Sequence, residues 1–359
     1  MRILQLVLAP RLSGAEMLVK GIAIGHRTSG HAVCVASLLP AEDDFADAAR
    51  ELAEHGVDCV FPSRRHEHLA RLVFLYRAVR RFAPDIVFAH TTIPALYARA
   101  LPCAVPIVFV MHSGMNDFTE NRWLLRAERR LSRRARAVIG VSPRNIDQYT
   151  ATIGPHPALF VVPNGVDVER FRRTGCAAAS TDEASTSHAR CIVQIGRYMP
   201  EKGQLDTVRA FPEVLAQAPG TCLRLCGVIE DRAYHRQVVA LADALGIASH
   251  VRIEGPNTDV PGLLARAAVF AMPSRFEAHS IGFLEALAAG VPIVANAIGA
   301  FDFARTYEGV ALVDTTNAAQ FARALAGALA QPRSMRPLHG MTLDDTARRY
   351  LEVARQVIA

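Results

Sequence analysis

The strongest constraint in this sequence is a pattern of short apolar, strand-like runs separated by helical stretches, and the pattern occurs twice. In the first half the runs cover residues 3–8, 32–38, 57–61, 86–89, 107–111 and 137–141. In the second half they cover residues 191–195, 222–226, 251–254, 269–272, 293–295 and 310–313. Because helices of ten or more residues fall between most of them, the pattern predicts an α/β fold with two doubly wound parallel sheets. Ligands of such sheets bind beyond the carboxyl ends of the strands.

The length of the chain fits this division. We place two Rossmann-like domains, facing each other across a cleft, at residues 1–165 and 190–340 of the 359, with a linker at 166–189 whose residues 174–189 are small and polar. Half of the residues (51%) are hydrophobic, which excludes a disordered chain. No apolar run reaches the ~18–20 residues of a membrane-spanning helix. Seven cysteines without zinc-like spacing, and no recognisable signal peptide, predict reduced thiols in a cytoplasmic protein.

The loop after the first strand does not carry the dinucleotide-binding pattern. A dehydrogenase would have Gly-x-Gly-x-x-Gly here, whereas residues 10–16 contain the single glycine Gly14. A glycine at the start of a helix permits close approach of a phosphate or a sugar. The alternative is an ordinary turn glycine.

Two glutamates flank the start of a helix in the second half. Glu277 follows the strand at 269–272, and Glu285 lies inside a helix predicted over 280–289 that ends before Gly290 and Pro292. The N–H groups of residues 279–282 would point out of the helix N-terminus, where they can bind a diphosphate. A carboxylate farther along the helix can accept hydrogen bonds from two ribose hydroxyls. A carboxylate in the loop can bind sugar hydroxyls and stabilise developing positive charge.

A pair of cations follows the first strand of the second half. Arg197 comes directly after Gly196, and Lys202 precedes Gly203. Both side chains could reach one diphosphate and assist its departure as its negative charge grows. The alternative is two solvated surface cations. Lys202 is one of only two lysines in the chain, so a random cation here would usually be arginine.

Together these residues resemble glycosyltransferase family 4, a group of retaining enzymes with the GT-B fold. The match includes Gly196-Arg197…Lys202-Gly203, Glu277…Glu285, Gly290-Val291-Pro292 and Pro163-Asn164-Gly165-Val166-Asp167. The resemblance implies that the first domain binds the acceptor and the second the nucleotide sugar. It also implies that the final helix, 341–359, crosses back onto the first domain, and that no metal or other cofactor is needed.

The resemblance also implies roles for single residues. Arg197 and Lys202 would bind the diphosphate, with the backbone of His279, Ser280 and Ile281. Glu285 would bind the ribose, and Glu277 the transferred sugar. Gly14 would let the first domain approach the phosphates, and His112 would contact the sugar near its anomeric centre. The catalytic set is thus Glu277, His112, Arg197 and Lys202.

The chain departs from the family pattern in two segments. Ala278-His279-Ser280 stands where the family usually has Gly-Phe-Gly, which restricts the backbone and adds a titratable ring. His279 is either part of the donor site or a solvent-facing loop residue. For His112 the alternative is a satisfied polar residue at a strand end. Residues 296–301 resemble the variant found in GDP-mannose-using exopolysaccharide mannosyltransferases, so GDP-mannose is the expected donor and a UDP-sugar the alternative.

Two basic stretches, 64–81 and 122–136, combine arginines with aromatic and aliphatic residues, among them Trp123, the only tryptophan. Such helices lie well on anionic membranes, although a solvated arginine face would look the same. No recognition motif predicts nucleic-acid binding.

The sequence thus predicts a cytoplasmic retaining glycosyltransferase, with its site of action including the inner face of the plasma membrane. Its acceptor would be a saccharide, including a lipid-linked one, in bacterial surface or exopolysaccharide biosynthesis. Two alternatives remain: a GT-B sugar-nucleotide epimerase, which would need no acceptor, and a non-catalytic GT-B scaffold that binds nucleotide sugars.

Overall fold

A computed structural model of the chain describes residues 1–112, 118, 121–174 and 190–358, and it divides into two compact units. Unit 1 comprises Met1–Gly165 together with Gly340–Ala359, and unit 2 comprises Val166–His339. Each unit has its own hydrophobic core, built from the inward-facing residues of one sheet and the helices that cover it.

Unit 1 is built on a parallel sheet whose described strands follow the order β3-β2-β1-β4-β5-β6-β7. The central strands are buried on both faces, which explains their unbroken apolar sequences. The strands are β1 (Arg2–Val7), β2 (Ala32–Ser37), β3 (Asp58–Val60), β4 (Ile86–His90), β5 (Ile107–Met111), β6 (Ala137–Gly140) and β7 (Leu159–Val161). The helices are α1 (Gly14–Thr28), α2 (Ala46–Glu54), α3 (His68–Phe82), α4 (Thr92–Ala100), α5 (Arg122–Leu131) and α6 (Pro143–Ile153).

Unit 2 repeats the design with the order β10-β9-β8-β11-β12-β13, again with parallel pairing throughout the described sheet. Its strands are β8 (Cys191–Ile195), β9 (Cys222–Cys226), β10 (Val251–Glu254), β11 (Val269–Met272), β12 (Ile293–Asn296) and β13 (Val310–Val313). Its helices include α7 (Gln204–Gln217), α8 (Arg232–Ala244), α9 (Val260–Ala265), α10 (Ile281–Ala288) and α11 (Ala318–Ala328).

The last helix, α12 (Leu343–Ile358), belongs to unit 1 although it follows unit 2 in sequence. It packs along α1, where a side chain larger than hydrogen at Gly21 would collide with Leu343. The Thr346 hydroxyl donates a hydrogen bond of 2.9 Å to the Pro163 carbonyl. The predicted return of the C-terminal helix to the first domain is confirmed.

The predicted α/β fold with two parallel sheets is confirmed, and the predicted strands all occur, with ends that differ by at most one residue. Sequence reasoning missed β7, which has only three residues, none of them buried.

The linker predicted over 166–189 is wrong for 168–174, which are helical. The Asp167 carboxylate accepts a hydrogen bond from the Arg170 N–H at 3.0 Å and so caps this turn, and Phe171 is buried. Residues 175–189 lie outside the described part of the chain.

The described cysteines form no disulfide, and Cys59 is exposed. The two basic stretches are only partly helical: α3 begins at His68, and a short 3₁₀ turn, Ser132–Arg134, follows α5.

A buried ion pair fixes α5 against the rest of unit 1. The Arg99 guanidinium donates to both oxygens of the Glu128 carboxylate, at 2.8 and 2.5 Å, and both side chains are fully buried. The Tyr149 hydroxyl donates to the same carboxylate at 2.9 Å. Because a buried charge is costly without its partner, this cluster holds three helices, α4, α5 and α6, in one arrangement.

We expect the substitution Glu128→Gln to destabilise the protein by about 3–5 kcal/mol, because it leaves the Arg99 guanidinium buried without a counter-charge. The melting temperature should fall by roughly 6–20 °C, measured by differential scanning calorimetry. The matched control is Asp47→Asn, which breaks an exposed ion pair with Arg50 and should shift the melting temperature by only ~1 °C. Equal shifts in the two variants would contradict this role.

Candidate functional site

The carboxyl edge of the unit 2 sheet brings Lys202 and Glu277 into direct contact. Strands β8 and β11 are neighbours, so the loops that follow them meet at this edge. The Lys202 ammonium lies 2.6 Å from a Glu277 carboxylate oxygen, across 75 positions in sequence. Their side chains are 18% and 9% exposed, so the pair is mostly shielded from water without being sealed off. A ligand could reach a cation and an anion side by side here.

Backbone constraints hold Lys202 in place. It ends a short 3₁₀ turn, Pro200–Lys202, and Gly203 follows with a φ of +67°. A Cβ at Gly203 would also lie 2.6 Å from the Pro273 carbonyl oxygen, so this position requires glycine on two grounds. The Gln194 side-chain amide donates to the Lys202 carbonyl at 2.8 Å.

A second set of contacts joins the Lys202 loop to the Glu277 loop. The Arg275 backbone N–H donates to the Glu201 carbonyl at 2.8 Å. The Arg275 guanidinium lies 3.0 Å from the buried carboxylate of Asp206, the third residue of α7. These contacts connect the two loops that carry Lys202 and Glu277.

Arg197 occupies a more open position at the same strand end. Its guanidinium is 38% exposed and lies 3.8 Å from the Glu230 carboxylate. The Gln204 side chain donates to the Arg197 carbonyl at 2.9 Å, which anchors the backbone at this position. An exposed ion pair of this length is weak, so a phosphate can compete for this cation.

The N-terminus of α10 follows the Glu277 loop. Ser280 caps it, with its hydroxyl accepting a hydrogen bond of 3.4 Å from the Phe283 N–H. Ile281 begins the helix, so the N–H groups of its first turn point out of the end that Ser280 marks. The helix thus begins where the sequence predicts it, and its role in binding an anion stays a prediction.

Glu285 lies in the second turn of α10 and is partly buried. Burial raises the pKa of its carboxyl from the ordinary 4.5 to about 7, and the nearby charge of Arg170 opposes that rise. Among the described residues its carboxylate has no hydrogen-bond partner. Arg170 belongs to the helical stretch 168–174, which sequence reasoning took for a linker.

His279 is not the solvent-facing loop residue of the alternative interpretation. It is partly buried, and its ring stacks on Phe303 with centroids 5.8 Å apart and planes at 25°. Burial lowers the pKa of His279 to about 4, so the ring is neutral near pH 7. Phe303 lies in the short helix Gly299–Ala304 after β12 and is 38% exposed. Together they form an aromatic surface between two loops of the same sheet edge.

Gly14 and His112 both lie at the carboxyl edge of the unit 1 sheet. Gly14 begins α1, directly after the capping position Ser13, whose hydroxyl donates to Glu16. His112 follows β5, and its Nε2 lies 2.8 Å from Nδ1 of His90 at the end of β4. Burial lowers the pKa of His112 to about 4. The structure thus gathers Arg197, Lys202, Glu277, His279, Ser280, Ile281 and Glu285 at one edge of unit 2, and Gly14 and His112 at one edge of unit 1.

Sequence reasoning missed several residues that support these sites. Gln194 in β8 and Gln5 in β1 are fully or almost fully buried. Each of these two glutamines is an amide residue within an apolar strand sequence. That pattern could have identified them, because a buried polar group needs hydrogen-bond partners. Phe303 and Arg275 gave no such signal, since exposed aromatic and basic residues are common in loops.

The basic stretches divide their side chains between core and solvent. Leu124 and Leu125 of α5 pack against the core of unit 1, whereas Trp123 is 76% exposed and lies 5.3 Å from the Arg126 guanidinium. In α3, Leu69 and Val73 are 74% and 42% exposed, one turn apart. No helix in the described ranges is both long and apolar enough to cross a membrane.

Two family profiles match the chain. Residues 12–170 match the family described as Glycosyltransferase Family 4, and residues 189–331 match the family described as Glycosyl transferases group 1. The matches are consecutive: the first lies mostly in unit 1 and the second lies within unit 2.

Individual proteins agree with the profiles. A GDP-mannose-dependent alpha-(1-6)-phosphatidylinositol monomannoside mannosyltransferase of Mycolicibacterium smegmatis is 29% identical over 339 residues, covering 91% of this chain and 81% of the relative. A glycogen synthase of Mycobacterium tuberculosis is 30% identical over 302 residues, covering 77% and 65%. Anabaena Alr3699/HepE, solved with UDP-glucose, superposes with a TM-score of 0.75 at 18% identity, covering 99% and 100%. At that identity the last similarity shows the fold alone.

The raised pKa of Glu285 predicts that the free energy of unfolding depends on pH. The carboxyl binds a proton more tightly in the folded protein than in the unfolded chain. Protonation of Glu285 therefore contributes fully to stability below pH 4.5, and this contribution is lost as pH rises to about 7. Glu285→Gln removes this pH-dependent contribution. We therefore expect the melting temperature of the variant, relative to the unaltered protein, to rise between pH 4.5 and 7 and then level off. Glu169→Gln, at an exposed position, is the control, and a difference that does not vary with pH would refute the assignment.

Proposed function

We propose a reaction and a donor for this chain, which belongs to glycosyltransferase family 4 and is a transferase of the GT-B fold. The reaction is transfer of a hexose from a nucleoside diphosphate sugar to a saccharide acceptor, with retention of anomeric configuration. The observation that carries the proposal is the contact between Lys202 and Glu277. It supports the proposal because a cation that could bind the diphosphate lies beside an anion that could bind the sugar.

In this reaction the bond between the anomeric carbon and the diphosphate oxygen breaks, and a bond to the acceptor hydroxyl forms on the same face of the sugar. The acceptor proton passes to the leaving diphosphate, so no side chain need act as nucleophile. Lys202 and Arg197 stabilise the growing negative charge of the diphosphate, together with the first N–H groups of α10. Glu277 accepts hydrogen bonds from the sugar hydroxyls and stabilises positive charge at the anomeric carbon.

Glu285 completes the donor site by accepting hydrogen bonds from the two ribose hydroxyls. Its half-buried position in the second turn of α10 suits a neutral diol better than a phosphate, since a carboxylate repels anions. Ribose binding would favour the ionised carboxylate and release a proton near neutral pH. In unit 1, His112 contacts the transferred sugar, and Gly14 leaves room for the phosphates.

GDP-mannose is the donor that we propose, with a UDP-sugar as the alternative. In its favour are the resemblance of residues 296–301 to mannosyltransferases and the GDP-mannose dependence in the name of the Mycolicibacterium relative. That relative also acts on a phosphatidylinositol mannoside, which supports a lipid-linked saccharide acceptor in surface polysaccharide biosynthesis. The proposed reaction requires no metal.

We expect the purified protein to release GDP from GDP-mannose only when a mannoside acceptor is present, with or without a chelator, and ¹H NMR should show an α-linked product. Lys202→Met should lower kcat by about 10²–10³-fold, because it removes a charge that acts on the leaving group. Arg266→Met, at an exposed cation of the same unit, is the control and should retain activity.

The outcomes of this assay separate the alternatives. Conversion of the donor without an acceptor would identify an epimerase. Binding of nucleotide sugars without any turnover would identify a scaffold. Inversion at the anomeric carbon would contradict the mechanism even if transfer occurred.

We also propose that unit 1 contacts anionic membranes through residues 64–81 and 122–136. The exposed Trp123 and Leu69 supply apolar contacts, and the surrounding arginines supply charge. Both features are needed for binding that is strong yet reversible. The protein would then act at the cytoplasmic face of the plasma membrane, where a lipid-linked acceptor is presented.

Trp123 gives a direct test, because it is the only tryptophan in the chain. Vesicles containing phosphatidylglycerol should shift its fluorescence emission to shorter wavelength, and high salt should reverse the shift. Vesicles of phosphatidylcholine alone are the control. An emission spectrum that anionic vesicles leave unchanged would exclude membrane contact at this residue.

A further inference from the structure

A chain of hydrogen bonds crosses the interior of unit 1 and ends at His112. It starts at the Ala347 carbonyl of α12, which lies 2.9 Å from Nε2 of His26 in α1. The Gln5 amide nitrogen of β1 lies 3.5 Å from Nδ1 of His26. The Gln5 carbonyl oxygen lies 2.7 Å from Nε2 of His90, and Nδ1 of His90 lies 2.8 Å from Nε2 of His112. We call these four side chains the relay.

The first member of the relay fixes the direction of every later hydrogen bond. A carbonyl can only accept, so Nε2 of His26 must carry a proton. In a neutral ring Nδ1 of His26 then accepts from the Gln5 amide, which turns the Gln5 oxygen toward His90. Nε2 of His90 donates to that oxygen, leaving its Nδ1 to accept from His112. His112 is therefore protonated on Nε2, and its Nδ1 holds the lone pair.

The surroundings keep all three rings neutral. His26 and His90 are buried, at 0% and 2% exposure. Burial lowers the pKa of His26 and of His112 to about 4, and places that of His90 well below its ordinary value. The His90 and His112 ring planes are nearly parallel, at 21°, with centroids 5.0 Å apart and the two bonded nitrogens 2.8 Å apart.

The free end of the relay is an acceptor. Nδ1 of His112 is buried and lacks a hydrogen bond of ordinary geometry among the described residues. The Asn164 side chain approaches the same ring and opposes the effect of burial on its pKa. A neutral ring with a pKa near 4 is a poor general base at pH 7, but it accepts hydrogen bonds well.

We propose that His90, Gln5 and His26 are positioning residues that hold His112 as its Nε2–H tautomer, so that Nδ1 accepts a hydrogen bond from a hydroxyl of the bound sugar. This inference rests on the proposed function, which places His112 in contact with the sugar. In the opposite tautomer Nδ1 of His112 would carry a proton and could no longer accept a hydrogen bond from the sugar hydroxyl, so this hydrogen bond would be lost. The helix that returns from the end of the chain thereby sets the protonation pattern at the site.

The pair His90→Asn and His90→Leu tests the relay with side chains of equal size. The asparagine oxygen can replace Nδ1 as the acceptor for His112, whereas leucine cannot. We expect His90→Leu to lower kcat about tenfold or more, with KM for the nucleotide sugar within about twofold, and His90→Asn to restore most of kcat. His156→Leu is the control, because His156 is a buried histidine of unit 1 whose described hydrogen bonds go to backbone groups of Ala135 and Ala158, outside the relay.

Nitrogen-15 NMR of the histidine rings tests the tautomer without any activity. At pH 7, in the unaltered protein, His112 should be protonated on Nε2 alone, and Gln5→Leu and His90→Leu should each give a mixture of tautomers. A His112 ring protonated on Nδ1 would contradict the proposed direction of the hydrogen bonds in the relay. An equal loss of kcat in His90→Asn and His90→Leu would contradict the proposal as well. A shifted tautomer with unchanged kcat would overturn its role in transfer.

Failure of the proposed function would look different. In that case His112→Ala would leave transfer unchanged while the NMR pattern of the unaltered protein still showed the ordered relay. The relay would then be structural, and the assignment of His112 to the sugar would be wrong.

Discussion

The common direction of the strands in each sheet decides where the polar side chains of this chain can meet. Parallel strands all end at the same edge, and the loops beyond that edge are the places where backbone groups are not committed to the ladder. Lys202 and Glu277 lie far apart in sequence, yet β8 and β11 are neighbours, so their loops bring the two side chains within 2.6 Å. The same rule places Gly14 after β1 and His112 after β5 in unit 1.

The two sites use burial in opposite ways. In unit 2, burial makes Glu285 easier to protonate, with a pKa of about 7. In unit 1, burial makes His26 and His112 harder to protonate and fixes a single pattern of donors and acceptors. Both follow from the cost of placing charge away from water.

The sequence predicted the parts of the fold that depend on local pattern. Buried strands such as 107–111 and 269–272 were found to the residue, because aliphatic runs bounded by turns have few other interpretations. Strand β7 was missed because three half-exposed residues carry no periodic signal. The helix at 168–174 lies inside the predicted linker because its start signal, the capping residue Asp167, stands in a short and mainly polar stretch.

Only those residues of the candidate site that belong to a sequence motif were predictable. Glu277, Glu285, Arg197 and Lys202 follow strand ends in a recognisable pattern, and their neighbours do not. The contact between Arg275 and Asp206, the stacking of His279 on Phe303 and the relay from α12 to His112 all join distant segments. Such contacts depend on tertiary packing, which a single sequence does not reveal. The buried amides Gln5 and Gln194 come nearest to an exception.

The most direct measurement is isothermal titration of GDP and UDP into the protein in the presence of a chelator, repeated with Lys202→Ala. We expect one nucleoside diphosphate to bind at a single site without metal, and the variant to bind it about 10–100-fold more weakly, as loss of a charged phosphate contact implies. Equal affinity in the two proteins, or no binding of either nucleotide at millimolar concentration, would contradict the assignment of the donor site to the carboxyl edge of unit 2.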